Sequence, residues 1–187
     1  MKVIADVRAR DAVMECFRKR GIGVELGVHL GLNAQELLRH CRPELLHLVD
    51  PWIEIRNDDT KDSWYERIDQ AEMDGYHDAV VKSFAPQIRR GIVEVHRMMS
   101  WDAMARFAFN SLDWVYVDGD HSYKAVKRDL EISYAKVKVG GMIGGDDYKL
   151  GGWWGDSIVR AVHELLNERP VKLKLVMDDQ YVIEKLA

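Results

Sequence analysis

Ile22-Gly23-Val24-Glu25-Leu26-Gly27-Val28-His29-Leu30-Gly31 is the stretch on which the reading of this chain turns. It opens as an apolar, β-type run that carries an acid near its end. A glycine follows, a second comes four residues later, and a helix-like segment begins at Asn33. In an α/β protein this is the layout of a nucleotide site. The strand delivers its carboxyl end to a crevice, and glycine lets the backbone approach a ligand where a Cβ would intrude. The spacing is Gly-x-x-x-Gly, whereas a pyrophosphate is cradled by Gly-x-Gly-x-x-Gly at the turn. Gly21 and Gly23 fall before or inside the strand and cannot supply that turn. The site therefore reads as one for a nucleoside without a pyrophosphate.

Working outward, Val7 to Arg20 spaces Val7, Val13, Met14 and Phe17 for a leading amphipathic helix that stops near Gly21. Asn33 reads as the N-cap of a helix over Ala34 to His40, with Pro43 beyond its end. Leu45 to Val49 is the second strand, closed by Asp50-Pro51-Trp52. From Ile53 to Arg90 the pattern loosens. A polar loop over Asn57 to Asp62 leads into helical character from Trp64 through Phe84, broken near Gly75. This insertion reads equally well as a peripheral layer or a substrate lid.

Gly91 to His96 is the third strand, and a helix from Ser100-Trp101-Asp102 runs through Phe109. The fourth strand, Asp113 to Val117, is apolar or aromatic almost throughout, as suits a central parallel strand covered on both faces. It ends in Asp118-Gly119-Asp120-His121. A helix over Tyr123 to Val137, a Gly140-Gly141 turn and a strand over Met142 to Gly144 lead to Asp146-Asp147. After the glycine- and tryptophan-rich loop Gly151 to Gly155 comes a helix over Asp156 to Glu168. Leu173 to Met177 and Tyr181 to Lys185 then form an antiparallel hairpin about Asp178-Asp179-Gln180. The alternation predicts one domain over residues 1–187. Its fold class is α/β, a Rossmann-like, doubly wound, mostly parallel seven-stranded sheet with an antiparallel C-terminal hairpin and helices on both faces.

Composition narrows the function classes. The 187 residues carry 27 basic and 31 acidic side chains, a net charge of -4 with no Lys/Arg block, which argues against a nucleic-acid partner. No apolar run is long enough to span a membrane. Cys16 and Cys41 have no metal-ligand spacing, so they read as reduced thiols in a cytoplasmic protein.

Every central strand finishes near an acid: Glu25, Asp50, Asp118 and the Asp146/Asp147 pair. Ligands bind at the carboxyl ends of such strands, so these side chains collect on one rim. Asp50 is placed to accept hydrogen bonds from ribose hydroxyls, or to form the turn before Pro51. If the fourth and fifth strands are neighbours, Asp118, Asp146 and Asp147 converge, and like charges that close call for a positive partner. Mg²⁺ suits carboxylates and water; helix capping and turn formation are the plainer alternative. His121, three residues past Asp118, could take a proton from a substrate hydroxyl, or serve as a helix-start residue. Trp153 and Trp154, flanked by glycines, read as an aromatic lid or as packing on the sheet edge. Lys124 and Lys149 read as residues of solvated faces.

Val24-Glu25-Leu26-Gly27-Val28-His29-Leu30-Gly31 resembles the first motif of class I S-adenosylmethionine-dependent methyltransferases, and Leu48-Val49-Asp50-Pro51-Trp52 resembles their second. Val117-Asp118-Gly119-Asp120-His121-Ser122-Tyr123, Asp129-Leu130 and Gly140-Gly141-Met142-Ile143-Gly144-Gly145-Asp146-Asp147-Tyr148 are similar to a bacterial branch. That branch holds macrocin-type O-methyltransferases and cephalosporin hydroxylase-like proteins, with catechol and caffeoyl-CoA O-methyltransferases as more distant kin. The likeness covers nearly the whole chain. It implies that Glu25, Gly27 and Gly31 line the amino acid and nucleoside of S-adenosylmethionine, that Asp50 holds the ribose, and that Ser100 and Trp101 flank the adenine. Asp118, with cofactor-lining and catalytic roles, would hold Mg²⁺ together with Asp146 and Asp147, although relatives often carry Asn at the third position. His121 would be the general base where the catechol and caffeoyl-CoA enzymes carry a lysine.

The expected partner is a small-molecule hydroxyl acceptor (sugar, phenol or catechol), with no nucleic acid and no membrane; a homo-oligomer stays open. Two rivals belong to other classes. An NAD-dependent oxidoreductase would want the missing glycine fingerprint, and a non-catalytic nucleoside-binding protein would have no need of the acids and His121. A nucleic-acid methyltransferase finds no Asn-Pro-Pro-Tyr-type motif here.

Overall fold

The computed structural model describes residues 2–55 and 67–187. Along them run α1 (Lys2–Cys16), β1 (Ile22–Leu26), α2 (Leu32–Cys41), β2 (Leu45–Asp50), α3 (Gln70–Ser83), α4 (Ala85–Arg89) and β3 (Val93–Arg97). Then come α5 (Ser100–Ala105), β4 (Leu112–Val117), α6 (Tyr123–Lys136), β5 (Val137–Gly145), α7 (Ser157–Glu168), β6 (Val171–Met177) and β7 (Gln180–Lys185). Among the described residues seven strands form one sheet in the order β3-β2-β1-β4-β5-β7-β6. β1 lies parallel between β2 and β4, and β7 is antiparallel to both β5 and β6. The expected doubly wound sheet with its antiparallel C-terminal hairpin is the observed one.

The sequence of β4 explains why the sheet is covered on both sides. All six residues are buried, and side chains alternate between faces. Trp114 and Tyr116 join Phe17, Leu37, Leu46, Leu48 and Trp52 in one core, while Val115 and Val117 join Val24, Leu26, Met104, Leu130, Ile143 and Val162 in the other. Phe17 stacks on Trp114 with ring centroids 4.8 Å apart. The Trp114 indole also crosses β1 so closely that a Cβ on Gly23 would lie 2.2 Å from it. That is why a glycine sits inside a strand.

Several expectations are corrected at their edges. The leading helix is Lys2–Cys16 rather than Val7 to Arg20, because the chain turns at once to insert Phe17 beneath β4 and reaches φ +56° at Arg20. Asn33 is not the N-cap of α2; left-handed Gly31 holds that position, and the Asn33 side chain is used elsewhere. α3 runs through Gly75 unbroken, nucleated by a capping box between Asp69 and Glu72 and anchored by buried Met73 and Val80. Gly140-Gly141 is no turn between elements but part of β5, where the pairing with β4 shifts register between Leu112 and Trp114. The polar loop expected over Asn57 to Asp62 lies outside the described residues, as does the start of the helical segment at Trp64.

Candidate active site

The carboxyl ends of β1, β2, β4 and β5 enclose a cavity of about 350 Å³. Its lining includes nine of the residues singled out from the sequence, Glu25, Gly27, Asp50, Ser100, Trp101, Asp118, His121, Asp146 and Asp147, while Gly31 closes the glycine turn outside the lining.

One end is shaped by backbone. Gly27 has φ +87°, and a Cβ there would lie 1.9 Å from the Asp118 carbonyl oxygen, so only glycine lets the β1 turn lie against the β4 loop. Asp50 braces this turn. Its Oδ2 accepts from the Val28 and His29 amides, both at 2.9 Å, and its Oδ1 accepts from the Trp52 amide at 2.8 Å. The buried Trp52 indole adds a 2.9 Å donation to the His29 carbonyl. Asp50 is therefore both a turn former and a cavity residue. A carboxylate offers roughly four acceptor positions, and three are used.

Glu25 is the unusual group at this end. It is 1% exposed, its Oε1 accepts from Asn33 Nδ2 at 2.9 Å, and its Oε2 has no partner among the described residues. Burial pushes the carboxyl up to about 8, against the pull of the Asn33 hydrogen bond and with help from the charge of Asp118. Ser100 and Trp101 form a second wall. The Ser100 hydroxyl donates to Asp129 Oδ1 at 2.6 Å, and the Arg128 guanidinium lies 3.5 Å from the Trp101 ring centroid. Burial raises Asp129 to about 6.

The other end is a web of charged side chains. His121 Nδ1–H donates to the Gly119 carbonyl at 2.5 Å, and Nε2 lies 2.7 Å from Asp147 Oδ2 and 4.0 Å from Asp118 Oδ1. Burial alone would lower the imidazole; the hydrogen bond and charge of Asp147, with Asp118, outweigh it and raise the pKa above its ordinary value. Burial would likewise raise Asp147, and His121 with Lys149 brings it below the usual carboxylate range. The two form an ion pair. Asp147 reaches His121 from a left-handed backbone, φ +56°, a conformation that costs energy for a non-glycine residue and clusters at working sites. Asp118 is held well above the usual range by burial and by Asp146.

Asp118 and Asp147 thus come together as expected, but the third ligating group within 4.8 Å is His121 rather than Asp146. Asp146 Oδ2 accepts from Arg10 at 2.5 Å, while its Oδ1 accepts from the Asp147 amide at 2.8 Å and from Gln180 Nε2. Gln180 in turn accepts from the Tyr116 hydroxyl at 2.7 Å, tying the C-terminal hairpin to the site. Trp153 and Trp154 pack against His121, with ring centroids 5.7 and 5.2 Å away. Lys149, read as a solvated residue, is exposed yet bridges Asp147 and Asp179.

Arg10, Asn33, Asp129 and Gln180 are the residues sequence reasoning did not place. Arg10 stands in a helix 136 positions before its partner, with no local signal. Asn33 carried a signal that pointed to capping, because Asn next to a helix start serves both uses.

A family model described as a methyltransferase domain matches residues 24–148, more than half of the chain. The chain belongs to that family, and its sheet order makes it a class I S-adenosylmethionine-dependent methyltransferase. A Streptococcus mutans protein solved with SAH superposes with TM-score 0.66 at 12% identity, covering 97% of this chain and 98% of its own. An O-methyltransferase from Bacillus cereus, also in complex with SAH, gives TM-score 0.64 at 12% identity over 96% of this chain and 79% of its own. An rRNA methylase from Streptococcus thermophilus gives 0.62 at 13% identity, with 98% and 97% covered. Identities this low carry the fold alone. An uncharacterised mimivirus protein (Acanthamoeba polyphaga mimivirus) is 35% identical over 57 residues, which is 30% of this chain and 25% of the viral one. Among the described residues no helix is long and apolar enough to cross a membrane.

Proposed function

We propose that this protein methylates a hydroxyl oxygen of a small molecule, using S-adenosylmethionine bound along the β1–β2 rim and His121 with Asp118 at the reacting end. The observation that carries this reading is Glu25 Oε2, a buried carboxylate oxygen in the cavity wall with no partner among the described residues. A buried polar atom of this kind wants a donor. The ammonium of the cofactor's amino-acid moiety supplies one, and glycine at position 27 keeps the neighbouring backbone close without crowding. Gly27 and Gly31 would line the amino acid and nucleoside, the remaining acceptor position of Asp50 would take one ribose hydroxyl, and Ser100 and Trp101 would flank the adenine. When bound, the cofactor supplies a sulfonium methyl, an electrophile that needs no pyrophosphate cradle.

The chain's own task is then to hold an acceptor oxygen in line and to receive its proton. Both His121 ring nitrogens face oxygen acceptors, so the imidazole acts as a base only after its Nε2 proton has passed to solvent. An acceptor hydroxyl must therefore draw a ring nitrogen away from Gly119 or Asp147, and Asp147 then stabilises the imidazolium that re-forms. The Trp153 and Trp154 rings beside His121 suit a flat or ring-shaped acceptor, and the net charge of -4 favours a small molecule over a polyanion. Magnesium is a narrower claim. Asp118 and Asp147 would hold it and it would lower the acceptor's pKa, but Asp146 would have to leave Arg10 to complete the expected trio.

The test is calorimetric titration with S-adenosylhomocysteine, with and without MgCl₂, on wild type, Glu25→Ala and Asp146→Ala. One site in wild type that is lost in Glu25→Ala supports the reading. Failure of wild type to bind it while NAD⁺ binds would replace the reading by an oxidoreductase.

A further inference from the structure

On the face of the sheet that packs against α5, away from the cavity, His47, Glu94 and His96 bring three ligating atoms together. The strand pairing produces the cluster. His47 on β2 is registered opposite Glu94 on β3, and His96 follows Glu94 by two residues, hence on the same face. His47 Nδ1 and His96 Nε2 are 3.0 Å apart, and Glu94 Oε2 lies 3.3 Å from the first and 3.7 Å from the second.

These lengths have a chemical meaning. Ligand atoms bound tetrahedrally to zinc at about 2.0–2.2 Å stand roughly 3.3–3.5 Å from one another. The observed triangle matches that spacing to within a few tenths of an ångström. Its setting agrees. His47 sits in the apolar strand Leu45-Leu46-His47-Leu48-Val49 with its side chain 8% exposed, His96 is half-buried, and Glu94 opens to solvent. The Phe107 ring, 4.7 Å from the His47 ring, walls the inner side.

We propose that His47, Glu94 and His96 form a mononuclear binding site for a borderline divalent transition ion, Zn²⁺ foremost, with the fourth position facing solvent. Two imidazole nitrogens and one carboxylate select Zn²⁺, Co²⁺ or Ni²⁺ over Mg²⁺ and Ca²⁺, which prefer all-oxygen shells. None of the three residues lines the cavity, and His47 is three residues upstream of Asp50, roughly 10 Å along the strand. The ion would pin the edge strand β3 to β2 instead of entering the methyl-transfer chemistry.

The experiment uses the full chain after chelator treatment and dialysis. Zn²⁺ alone is titrated by calorimetry, Co²⁺ is titrated by its visible d–d absorption, and Tm is measured with and without Zn²⁺. Wild type should take up one ion per chain, with Tm raised by roughly 5–11 °C at a hundredfold excess over Kd. His96→Gln and Glu94→Gln sit at the open side of the cluster and leave the buried His47 in place, so the fold is kept. Each should weaken Zn²⁺ by more than the roughly 10–100-fold that losing a mere outer partner of a ligand costs. Asp147→Asn in the cavity and His40→Gln on the α1–α2 surface, where other ligating groups cluster, should leave the affinity as in wild type. Binding that survives both His96→Gln and Glu94→Gln, or that is lost with Asp147→Asn or His40→Gln, overturns the proposal. So does a wild-type protein that takes up neither ion.

Discussion

The two ends of the cavity are built by different means. At the Glu25–Gly31 end the shape is set by backbone: one glycine at φ +87°, three amides gathered on Asp50, and a strand register that brings Leu26 beside Val49 and Val117. At the Asp118–Asp147 end it is set by side chains reaching from α1, from β7 and from the loops after β4 and β5, with Arg10 on one oxygen of Asp146 and Gln180 on the other. The first kind of site tolerates almost no change at a few positions. The second spreads its dependence over many, each replaceable at moderate cost.

The sharpest way to break the comparison is Gly27→Ala. A Cβ at φ +87° costs about 1–3 kcal/mol in backbone strain, and the 1.9 Å approach to the Asp118 carbonyl adds a clash that only separation of β1 and β4 relieves. The expected outcome is loss of S-adenosylhomocysteine binding together with a clear drop in Tm. Retained binding would mean that the backbone end is plastic after all. His121→Gln comes next. Methyl transfer should fall by roughly 10²–10⁴, the usual worth of a general base, while S-adenosylhomocysteine affinity stays as in wild type. A parallel loss of both would make His121 a shaping residue of the whole cavity.

Arg10→Met should cost about 1.5–3 kcal/mol of stability, the range for a hydrogen bond to a charged group, because it strands a largely buried Asp146. Adding Asp146→Asn should recover part of that loss, and a thermal-unfolding double-mutant cycle reads the coupling. An uncoupled pair would show that the Arg10–Asp146 contact is incidental, and that Asp146 is open to join Asp118 and Asp147 around a cation.

The same contrast explains what could be read from the sequence. β1 is found residue for residue, and the hairpin of β6 and β7 within two residues, because alternation and turn chemistry are local signals. The cavity residues of the backbone end announce themselves through glycine, which has few other reasons to sit after a strand. The Asp146–Arg10 pairing has no local trace: the partners are 136 positions apart, and Arg10 reads by itself as an ordinary charged residue of a helix. Sequence could foresee that crowded carboxylates need a positive charge. It could not foresee that a guanidinium from α1 would provide it. Asn33 fails differently, since its position beside a helix start made the capping use look sufficient while tertiary structure turned it to Glu25.

A last test concerns the buried carboxyl at the backbone end, Glu25. Unfolded, Glu25 ionises near its ordinary value of 4.5; folded and without ligand, burial holds it at about 8. Below pH 4.5 both states are protonated and the group contributes nothing to stability. Between about 4.5 and 8 the folded state keeps a proton that the unfolded state has released, so stability falls with rising pH, by at most about 1.4 kcal/mol per unit. Above 8 the loss is complete. Glu25→Gln should flatten this slope in pH-dependent denaturation while wild type shows it. An ammonium placed against Oε2 favours the ionised form, so binding S-adenosylhomocysteine at pH 7 should expel a proton from wild type and none from Glu25→Gln. Calorimetry in two buffers of different ionisation enthalpy measures that proton directly. If wild type binds the ligand with no proton released, then Glu25 does not face the ammonium, and its unpartnered oxygen serves another donor in the cavity.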